Sequence, residues 1–243
     1  GGGSSPHYHR ETVVSRYSQA EQKGPLLTTY WKQRDPFNRQ CPIIDGRRAL
    51  AGCTAIAIGQ IINYHRRDAH KYYDWSEIQD TTHYPNAVAT FIHDIGMAVH
   101  MKYGSHGSRT SPDKAAHYFS GAGYYAHLRS YNYEICKADI DRGNPVYLAA
   151  KYKRKGVYFI IRWAWKYESG HAWVADGYKS ITDYRKVKVE DGRDTYYRDI
   201  AEGTTNYIHM NWGWGPGTDS WCTYDYFKGQ GRVYKYKKEM ISF

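Results

Sequence analysis

The chain has 243 residues, a formal net charge of +10 and 26 tyrosines. Its length allows one large domain or two lobes with a substantial core, and the many tyrosines explain a low mean hydropathy without disorder. No apolar run approaches the roughly 20 residues of a membrane-spanning helix. Lysines and arginines are scattered among acids, which favours a solvated basic surface. We therefore expect a folded, β-containing protein with no membrane span and no nucleic-acid partner.

The first residues are dominated by glycine and serine, a composition typical of a flexible leader or a remnant of expression. We assign residues 1–11 to this leader and residues 12–243 to a single domain. Further along, Asp35-Pro36 and Asp45-Gly46 are turn signals that predict a loop before the next element.

A helix is predicted from Cys53 to His65, because small, turn-prone residues precede it and apolar residues then recur at near-helical spacing. A thiol at a helix N-terminus meets unpaired backbone N–H groups and the positive end of the helix dipole, and both stabilise a thiolate. Gly52 would let a substrate approach the sulfur. The alternative is that Cys53 is a small buried hydrophobe that opens a core helix.

After this helix, helical signals give way to strand signals. The spacing of apolar residues from Val88 to Val99 predicts an amphipathic helix, and Ser111 followed by Pro112 predicts another that ends near Phe119. Strands are predicted at residues 145–152, 157–163, 171–178, 186–190, 207–211, 220–226 and 232–236, with turns at Lys155-Gly156, Ser169-Gly170, Asp191-Gly192 and Gly229-Gln230-Gly231. This order predicts an α+β fold, with a mainly helical lobe over about 30–125 and a mainly β lobe over about 126–243.

The cysteines and histidines show no pattern of a metal site. The four cysteines are Cys41, Cys53, Cys136 and Cys222, and they form no C-x-x-C pair. The twelve histidines include no H-E-x-x-H motif. We expect no disulfide framework, no metal and no cofactor.

Two later segments contain the residue types that a cysteine nucleophile needs. His171 is predicted at the start of a strand beside Gly170, and the segment from His209 to Gly215 combines an amide with two indoles. A thiolate nucleophile needs an imidazole partner, a group that orients the imidazole, and donors for the developing oxyanion. Residues of each kind are present on separate predicted elements.

These segments together resemble the streptopain family of secreted bacterial cysteine proteases, which are relatives of papain in fold. The resemblance rests on Gly52-Cys53 followed by a helix, on Gly170-His171-Ala172, and on the segment from His209 to Gly215. Weaker similarities lie at residues 33–38, 101–105 and 144–147. The resemblance covers most of residues 30–225, and it implies a papain-like two-lobed fold with the active-site cleft between the lobes.

The resemblance also implies roles for individual residues. Cys53 would be the nucleophile and His171 its base and acid. The side-chain amide of Gln33 and the backbone N–H of Cys53 would form the oxyanion hole. Asn211 and Trp212 occupy the segment that orients and shields the histidine, and either of them could make that contact.

Three further residues, Gly52, Gly170 and Trp214, are candidates for binding substrate. The sequence departs from the family's pattern in two places that would border the cleft. A long segment separates Asp176 from Asn211 where the family has a tighter hairpin, and the C-terminus lacks a glycine-rich stretch. The resemblance therefore implies the catalytic groups more firmly than the shape of the cleft.

The family is made as a zymogen with an N-terminal prodomain. We therefore expect the mature form of a secreted or cell-surface bacterial endopeptidase, with protein or peptide substrates and its own prodomain as inhibitor. Its reaction would proceed through the Cys53 thiolate, paired with His171, and an acyl-enzyme. Two alternatives remain, a Cys-His amidase that acts on cell-wall peptides and a non-catalytic binding homologue.

Overall fold

The structure, a computed structural model, describes residues 7–243. Its contacts divide the chain into two compact units, whereas the sequence predicts a single domain over 12–243. The first unit contains the described residues up to Gln22 together with Lys179–Tyr207, and the second contains Lys23–Tyr178 and Ile208–Phe243. The predicted leader over 1–11 lies partly outside the described residues, and from His9 onward the chain forms a strand instead.

The described residues contain five helices and eleven strands. The helices are α1 Cys53–His65, α2 Trp75–Gln79, α3 Pro85–Ala98, α4 Pro112–Gly121 and α5 Tyr133–Asp141. The strands are β1 His9–Lys23, β2 Ile43–Ile44, β3 Arg47–Arg48, β4 His127–Ser130, β5 Val146–Phe159, β6 Arg162–Asp191, β7 Asp194–Asn211, β8 Ser220–Thr223, β9 Lys228–Gly229, β10 Arg232–Val233 and β11 Tyr236–Ser242. Mixed helices with a large sheet confirm the predicted α+β class at that level.

Helix α1 has the predicted bounds and lies at the centre of an apolar core. Every residue from Thr54 to Asn63 is buried, as expected of a helix enclosed on all sides. Gly59 permits close packing on α3, because a Cβ there would lie 2.6 Å from Ile92 Cδ1. Each buried isoleucine contributes about 1.5–3 kcal/mol, so α1 is a rigid support for the residue at its first position.

The other helices agree only in part with the sequence prediction. Helices α3 and α4 lie where they are predicted, although Ser111 makes no side-chain capping hydrogen bond to α4. Helices α2 and α5 were not predicted. For α5 a signal exists, because the Asn132 side chain caps it by accepting the Ile135 N–H at 3.0 Å. Among residues 7–243, no helix is long and apolar enough to span a membrane.

The sheet of the second unit has the strand order β4-β11-β5-β6-β7-β8. Strand β5 pairs antiparallel with β6, and β11 pairs antiparallel with both β4 and β5. The β5–β6 register places Ala150 opposite His171 and Phe159 opposite Arg162. Two predicted turns, at Lys155-Gly156 and Ser169-Gly170, are therefore wrong, because both dipeptides lie within strands.

The predicted turns at Asp191-Gly192 and around Gln230 do separate strands, β6 from β7 and β9 from β10. In the first unit, β1 pairs with β6. Within this unit the buried apolar residues include Val187 and Val189 of β6, and Tyr17 stacks on Tyr184 with ring centroids 5.2 Å apart.

A buried charged cluster in the second unit fixes the chain that leads into the core. The Asp176 carboxylate accepts the Leu27 N–H at 3.0 Å and pairs with His209 Nδ1 at 2.6 Å. Burial raises the pKa of nearby Asp219 to about 6, although His209 opposes the rise and Asp176 adds to it. At neutral pH the folded protein therefore holds an ionised Asp219 in surroundings that disfavour its charge.

This arrangement predicts that Asp219→Asn stabilises the protein at pH 8 but not at pH 4.5. A carboxyl whose folded pKa is raised contributes stability below its unfolded pKa, and that contribution is lost as pH rises through about 6. Removing the charge should raise the free energy of unfolding by about 1–3 kcal/mol at pH 8. Thermal unfolding at both pH values measures the effect, with the exposed Asp45→Asn as control. Equal responses of the two variants would contradict the assignment.

Candidate active site

Cys53 occupies the first position of α1, and Gly52 shapes the backbone that delivers it. Gly52 has φ 93° and ψ 131°, a left-handed φ that side chains disfavour. A Cβ at Gly52 would lie 2.5 Å from Met101 Cε. A side chain at position 52 is therefore disfavoured both by sterics and by the backbone conformation.

The Cys53 side chain is only partly exposed to solvent.

His171 is the direct partner of the thiol. It lies within β6, not at the start of a strand as predicted, and it is 9% exposed. Its Nε2 donates to the carbonyl of Trp212 at 2.7 Å, and the ring also makes a hydrogen bond with the Cys53 thiol. Since Nε2 is occupied, Nδ1 is the nitrogen left for the sulfur.

The surroundings of Cys53 favour a thiolate. Burial opposes this, because it raises the pKa of the thiol, but the hydrogen bond and charge of His171 lower it. The backbone N–H groups of Ala172 and Thr54 also bond to the sulfur, and the net pKa of Cys53 falls below its ordinary value. The thiolate is the nucleophilic form of cysteine.

The other three thiols lie in the opposite kind of environment. Burial raises the pKa of Cys41 to about 11, even though Tyr103 and Arg48 act against it. Burial also raises the pKa of Cys136 and of Cys222. All four cysteines are free, and no group of described His, Cys, Asp or Glu side chains is arranged to hold a metal ion.

Aromatic rings surround the imidazole of His171. Trp214 stacks on it with centroids 4.8 Å apart, and Trp173 is nearly parallel to it at 5.8 Å. Trp212 and Tyr234 complete the enclosure. These rings fix the imidazole plane and shield its hydrogen bond from water. The structure thus places Trp214, a predicted substrate-binding residue, against the histidine.

Of the two candidates for orienting His171, the structure brings Trp212 to it and not Asn211. The contact is made by the Trp212 backbone carbonyl. The Asn211 side chain accepts from Gln60 Nε2 at 3.1 Å and donates to the Thr29 carbonyl at 2.8 Å. The sequence left Asn211 and Trp212 as alternatives for this contact, and in the structure the Asn211 amide is bonded instead to Gln60 of α1 and to the backbone at Thr29.

Gln60 is a site-supporting residue that sequence reasoning missed. Its side chain is fully buried within α1, where it accepts from Thr29 Oγ1 at 2.7 Å and from the Trp31 N–H at 3.3 Å while it donates to Asn211. It therefore links the helix that carries Cys53 to the strand end that precedes Trp212. The available signal was an amide within an apolar helical run, since such a buried group needs partners.

Gln33 and Gly170 lie beside these groups through backbone contacts. The Gln33 carbonyl accepts the Ala51 N–H at 3.0 Å, which holds the Gln33 loop against the residues just before Cys53. At Gly170 a Cβ would lie 2.8 Å from the Ala150 carbonyl. Glycine at that position lets β6 approach β5 closely next to His171.

Comparison with known proteins identifies the family. A model of the peptidase C10 family matches residues 31–222, a span that includes Cys53, His171 and Trp212. The chain belongs to the peptidase C10 family. The resemblance to the streptopain family is thereby confirmed.

Two curated relatives illustrate the distance within this family. The thiol protease/hemagglutinin PrtT of Porphyromonas gingivalis is 22% identical over 231 residues, which cover 79% of this chain and 22% of that protein. Streptopain of Streptococcus pyogenes is 24% identical over an alignment of 267 residue positions, gaps included, and the alignment covers 85% of this chain and 58% of that protein. The chain thus spans less than two thirds of the length of either relative.

Solved structures of similar proteins share the fold. The interpain A cysteine protease of Prevotella intermedia, in its active wild-type form, aligns with a TM-score of 0.66 and 21% identity over 90% of this chain and 94% of that one. A fragment of prointerpain A aligns with a TM-score of 0.62 and 22% identity over 90% of this chain and 71% of that one.

The contrast among the four thiols predicts selective alkylation. At pH 6 under native conditions, iodoacetamide should label Cys53 at least about 10-fold faster than Cys41, Cys136 or Cys222, because only the Cys53 pKa is lowered. Peptide mapping by mass spectrometry measures each rate. Cys53→Ser should remove the fast phase, and unfolding in urea should make the four rates similar. Uniform labelling of the folded protein would contradict the predicted thiolate.

Proposed function

We propose that this chain is the catalytic part of a cysteine endopeptidase in which Cys53 is the nucleophile and His171 its acid and base. The observation that carries the proposal is the hydrogen bond between the thiol, at a helix N-terminus, and an imidazole whose other nitrogen is held by the Trp212 carbonyl. The same arrangement disfavours a decayed, non-catalytic homologue, because a lowered thiol pKa is typical of a nucleophilic cysteine and not of a buried structural one. Membership of the peptidase C10 family supports peptide-bond hydrolysis as the reaction.

The proposed reaction has two halves. The Cys53 sulfur forms a bond to the substrate carbonyl carbon while the carbonyl π-electrons move to oxygen. The C–N bond then breaks, the His171 imidazolium gives its proton to the departing amine, and an acyl-enzyme remains. In the second half, neutral His171 takes a proton from water while the water oxygen bonds to the thioester carbon. The C–S bond then breaks, which releases the carboxylic acid product and restores the Cys53 thiolate beside the His171 imidazolium. The Trp212 carbonyl keeps the imidazole in place through both halves.

We also propose that the oxyanion hole consists of the Cys53 N–H and the Gln33 side-chain amide. As the first residue of α1, Cys53 has an N–H that does not donate to a carbonyl of the helix, so it can donate to an oxyanion. The backbone bond between Gln33 and Ala51 supports this role, because it anchors Gln33 two residues from the nucleophile. Gly52 and Gly170 would leave the approach to the sulfur open.

In this proposal the enzyme has the two-lobed, papain-like arrangement, with the cleft where the helical lobe meets the sheet. The origin of Cys53 on α1 and of His171 on β6 supports it. We further propose a secreted or cell-surface bacterial enzyme that acts on protein or peptide substrates and is held inactive by a prodomain. The support is the kinship with streptopain and the existence of a pro-form of interpain A.

The oxyanion role of Gln33 predicts a specific kinetic defect. Gln33→Ala should lower kcat by roughly 10²-fold and leave KM nearly unchanged, because the lost donor acts mainly in the transition state. The measurement is steady-state hydrolysis of an internally quenched peptide with blocked termini, which also separates endopeptidase from exopeptidase activity. Gln40→Ala, at an exposed glutamine of the same loop, should behave as wild type. A change confined to KM would assign Gln33 to substrate binding instead.

The thiolate–imidazolium pair predicts a bell-shaped dependence of kcat/KM on pH. The acidic limb reports loss of the thiolate, and it should lie below the ordinary thiol range because the pKa of Cys53 is lowered. The alkaline limb reports loss of the imidazolium proton that the leaving amine needs. His171→Ala should lose at least about 10³-fold in kcat/KM.

Two outcomes would contradict this mechanism. One is retained activity in His171→Ala, and the other is inactivation by EDTA but not by a thiol reagent. Parallel assays on cell-wall peptides distinguish the endopeptidase from an amidase with the same catalytic pair. An amidase would cleave the cell-wall peptides and leave the internally quenched peptide intact.

A further inference from the structure

Strands β5 and β6 continue as a hairpin beyond their neighbour in the sheet. Strand β11 pairs with β5 only between Tyr147 and Lys151, whereas the β5–β6 register runs on to the pair Phe159 and Arg162. We call residues 153–168 the outer hairpin. Its end is formed by Ile160 and Ile161.

The end of the outer hairpin is strongly apolar and open to solvent. The exposed fractions are 71% for Tyr158, 57% for Phe159, 93% for Ile160 and 91% for Ile161. A run of four large apolar side chains at a loop tip is not expected in a protein that leaves them in water. Ile160 also has a φ of 35°, where a β-branched residue is unfavourable. The residues of this turn are therefore not those that would give the most stable turn in water.

The apolar character extends to both faces of the hairpin. Residues directly opposite each other share a face, so Tyr158 and Trp163 lie on one face while Phe159 lies on the other. Trp165 follows Trp163 on its face, and the two indoles are in contact at 4.4 Å. A groove on a partner protein would cover one face. A medium that surrounds the whole tip covers both.

Cationic side chains follow immediately behind the apolar tip. They are Lys151, Lys153, Arg154, Lys155, Arg162 and Lys166, while Glu168 is the one acidic residue between 151 and 168. Glu168 pairs with Lys155 at 3.1 Å, and Arg154 lies 3.8 Å above the Trp165 ring. Apart from Arg162, which lies opposite Phe159, the order along the hairpin is thus aliphatic tip, aromatic residues and positive charge. It matches the order of acyl chains, interface and anionic headgroups in a bilayer.

We propose that the outer hairpin docks this protein reversibly on an anionic lipid surface. Residues 158–161 enter the boundary between acyl chains and headgroups, and the lysines and arginines behind them contact lipid phosphates. A strand rise of about 3.4 Å per residue places Lys155, Arg154 and Lys153 about 10–17 Å along the strand from Tyr158, a reach that suits shallow insertion. This is peripheral binding, and it uses none of the proposed catalytic groups.

The test is co-sedimentation of the full chain with vesicles of phosphatidylcholine alone or with 30% phosphatidylglycerol. We expect binding at least about 10-fold tighter to the anionic vesicles, a weakening in high salt, and a blue shift of tryptophan fluorescence on binding. Ile160→Ser with Ile161→Ser should weaken binding at least about 10-fold. Lys153→Gln with Lys155→Gln should lower the preference for anionic lipid roughly 10-fold, because two of the six cations near the tip are lost.

The matched control is Tyr72→Ser with Tyr125→Ser, which removes two side chains that are 89% and 80% exposed elsewhere and should leave binding unchanged. The alkylation rate of Cys53 verifies that each variant is folded. Absence of vesicle binding, or equal binding by the tip variant and the control, would overturn the proposal. The proposal would also be overturned if Ile160→Ser with Ile161→Ser abolished self-association in light scattering but left vesicle binding unchanged, because the tip would then contact a second copy of the chain. Peptidase activity plays no part in these measurements, so the two proposals fail separately.

Discussion

The hydrogen bond from His171 Nε2 to the Trp212 carbonyl is the contact on which the candidate site depends. An imidazole can pair with a thiolate only if its ring is held in one plane and its second nitrogen is occupied. Holding the ring requires that the end of β7, the middle of β6 and the start of α1 meet within a few ångströms. The core around α1 and the packed indoles around His171 bring these three parts of the chain together.

A buried network of side-chain amides fixes the position of Trp212 relative to α1. Gln60 and Asn211 bind each other, and they also bind the backbone of the segment from Thr29 to Trp31. In a low-dielectric interior each of these groups would be costly to leave unpaired, so the network specifies a single arrangement. The orientation of Trp212 is thus set from the helix that carries Cys53. The nucleophile and the group that aligns its base share one support.

The same strand pair carries two different chemical surfaces. Near Ala150 and His171 it is covered by aromatic side chains and belongs to the core. Toward Ile160 its side chains are exposed and apolar, with cations behind them. The polypeptide keeps the two regions apart by extending β5 and β6 beyond β11, so that the outer hairpin projects without disturbing the residues around the histidine.

Local features of the sequence determined the parts of the structure that depend on neighbours in the chain. The helix that begins at Cys53, the helix that begins at Pro112 and the turn at Asp191-Gly192 follow from apolar periodicity, a proline at the first helical position and turn residues, which act over a few positions. The motifs around Cys53 and His171 likewise indicated the family and the residue types of the site.

Tertiary structure decided whatever depends on distant contacts. Gly156 suggested a turn, yet it pairs with Trp165 within the β5–β6 ladder, and glycine suits that position because a Cβ would lie 2.7 Å from Trp163 Nε1. Either Asn211 or Trp212 could have oriented His171, and the contact proved to be a backbone carbonyl, which every residue possesses and no sequence pattern marks. Gln60 gained its partners from segments far away in the chain. Sequence by itself therefore determined which groups are present and where α1 and α4 begin, and packing determined which of those groups meet.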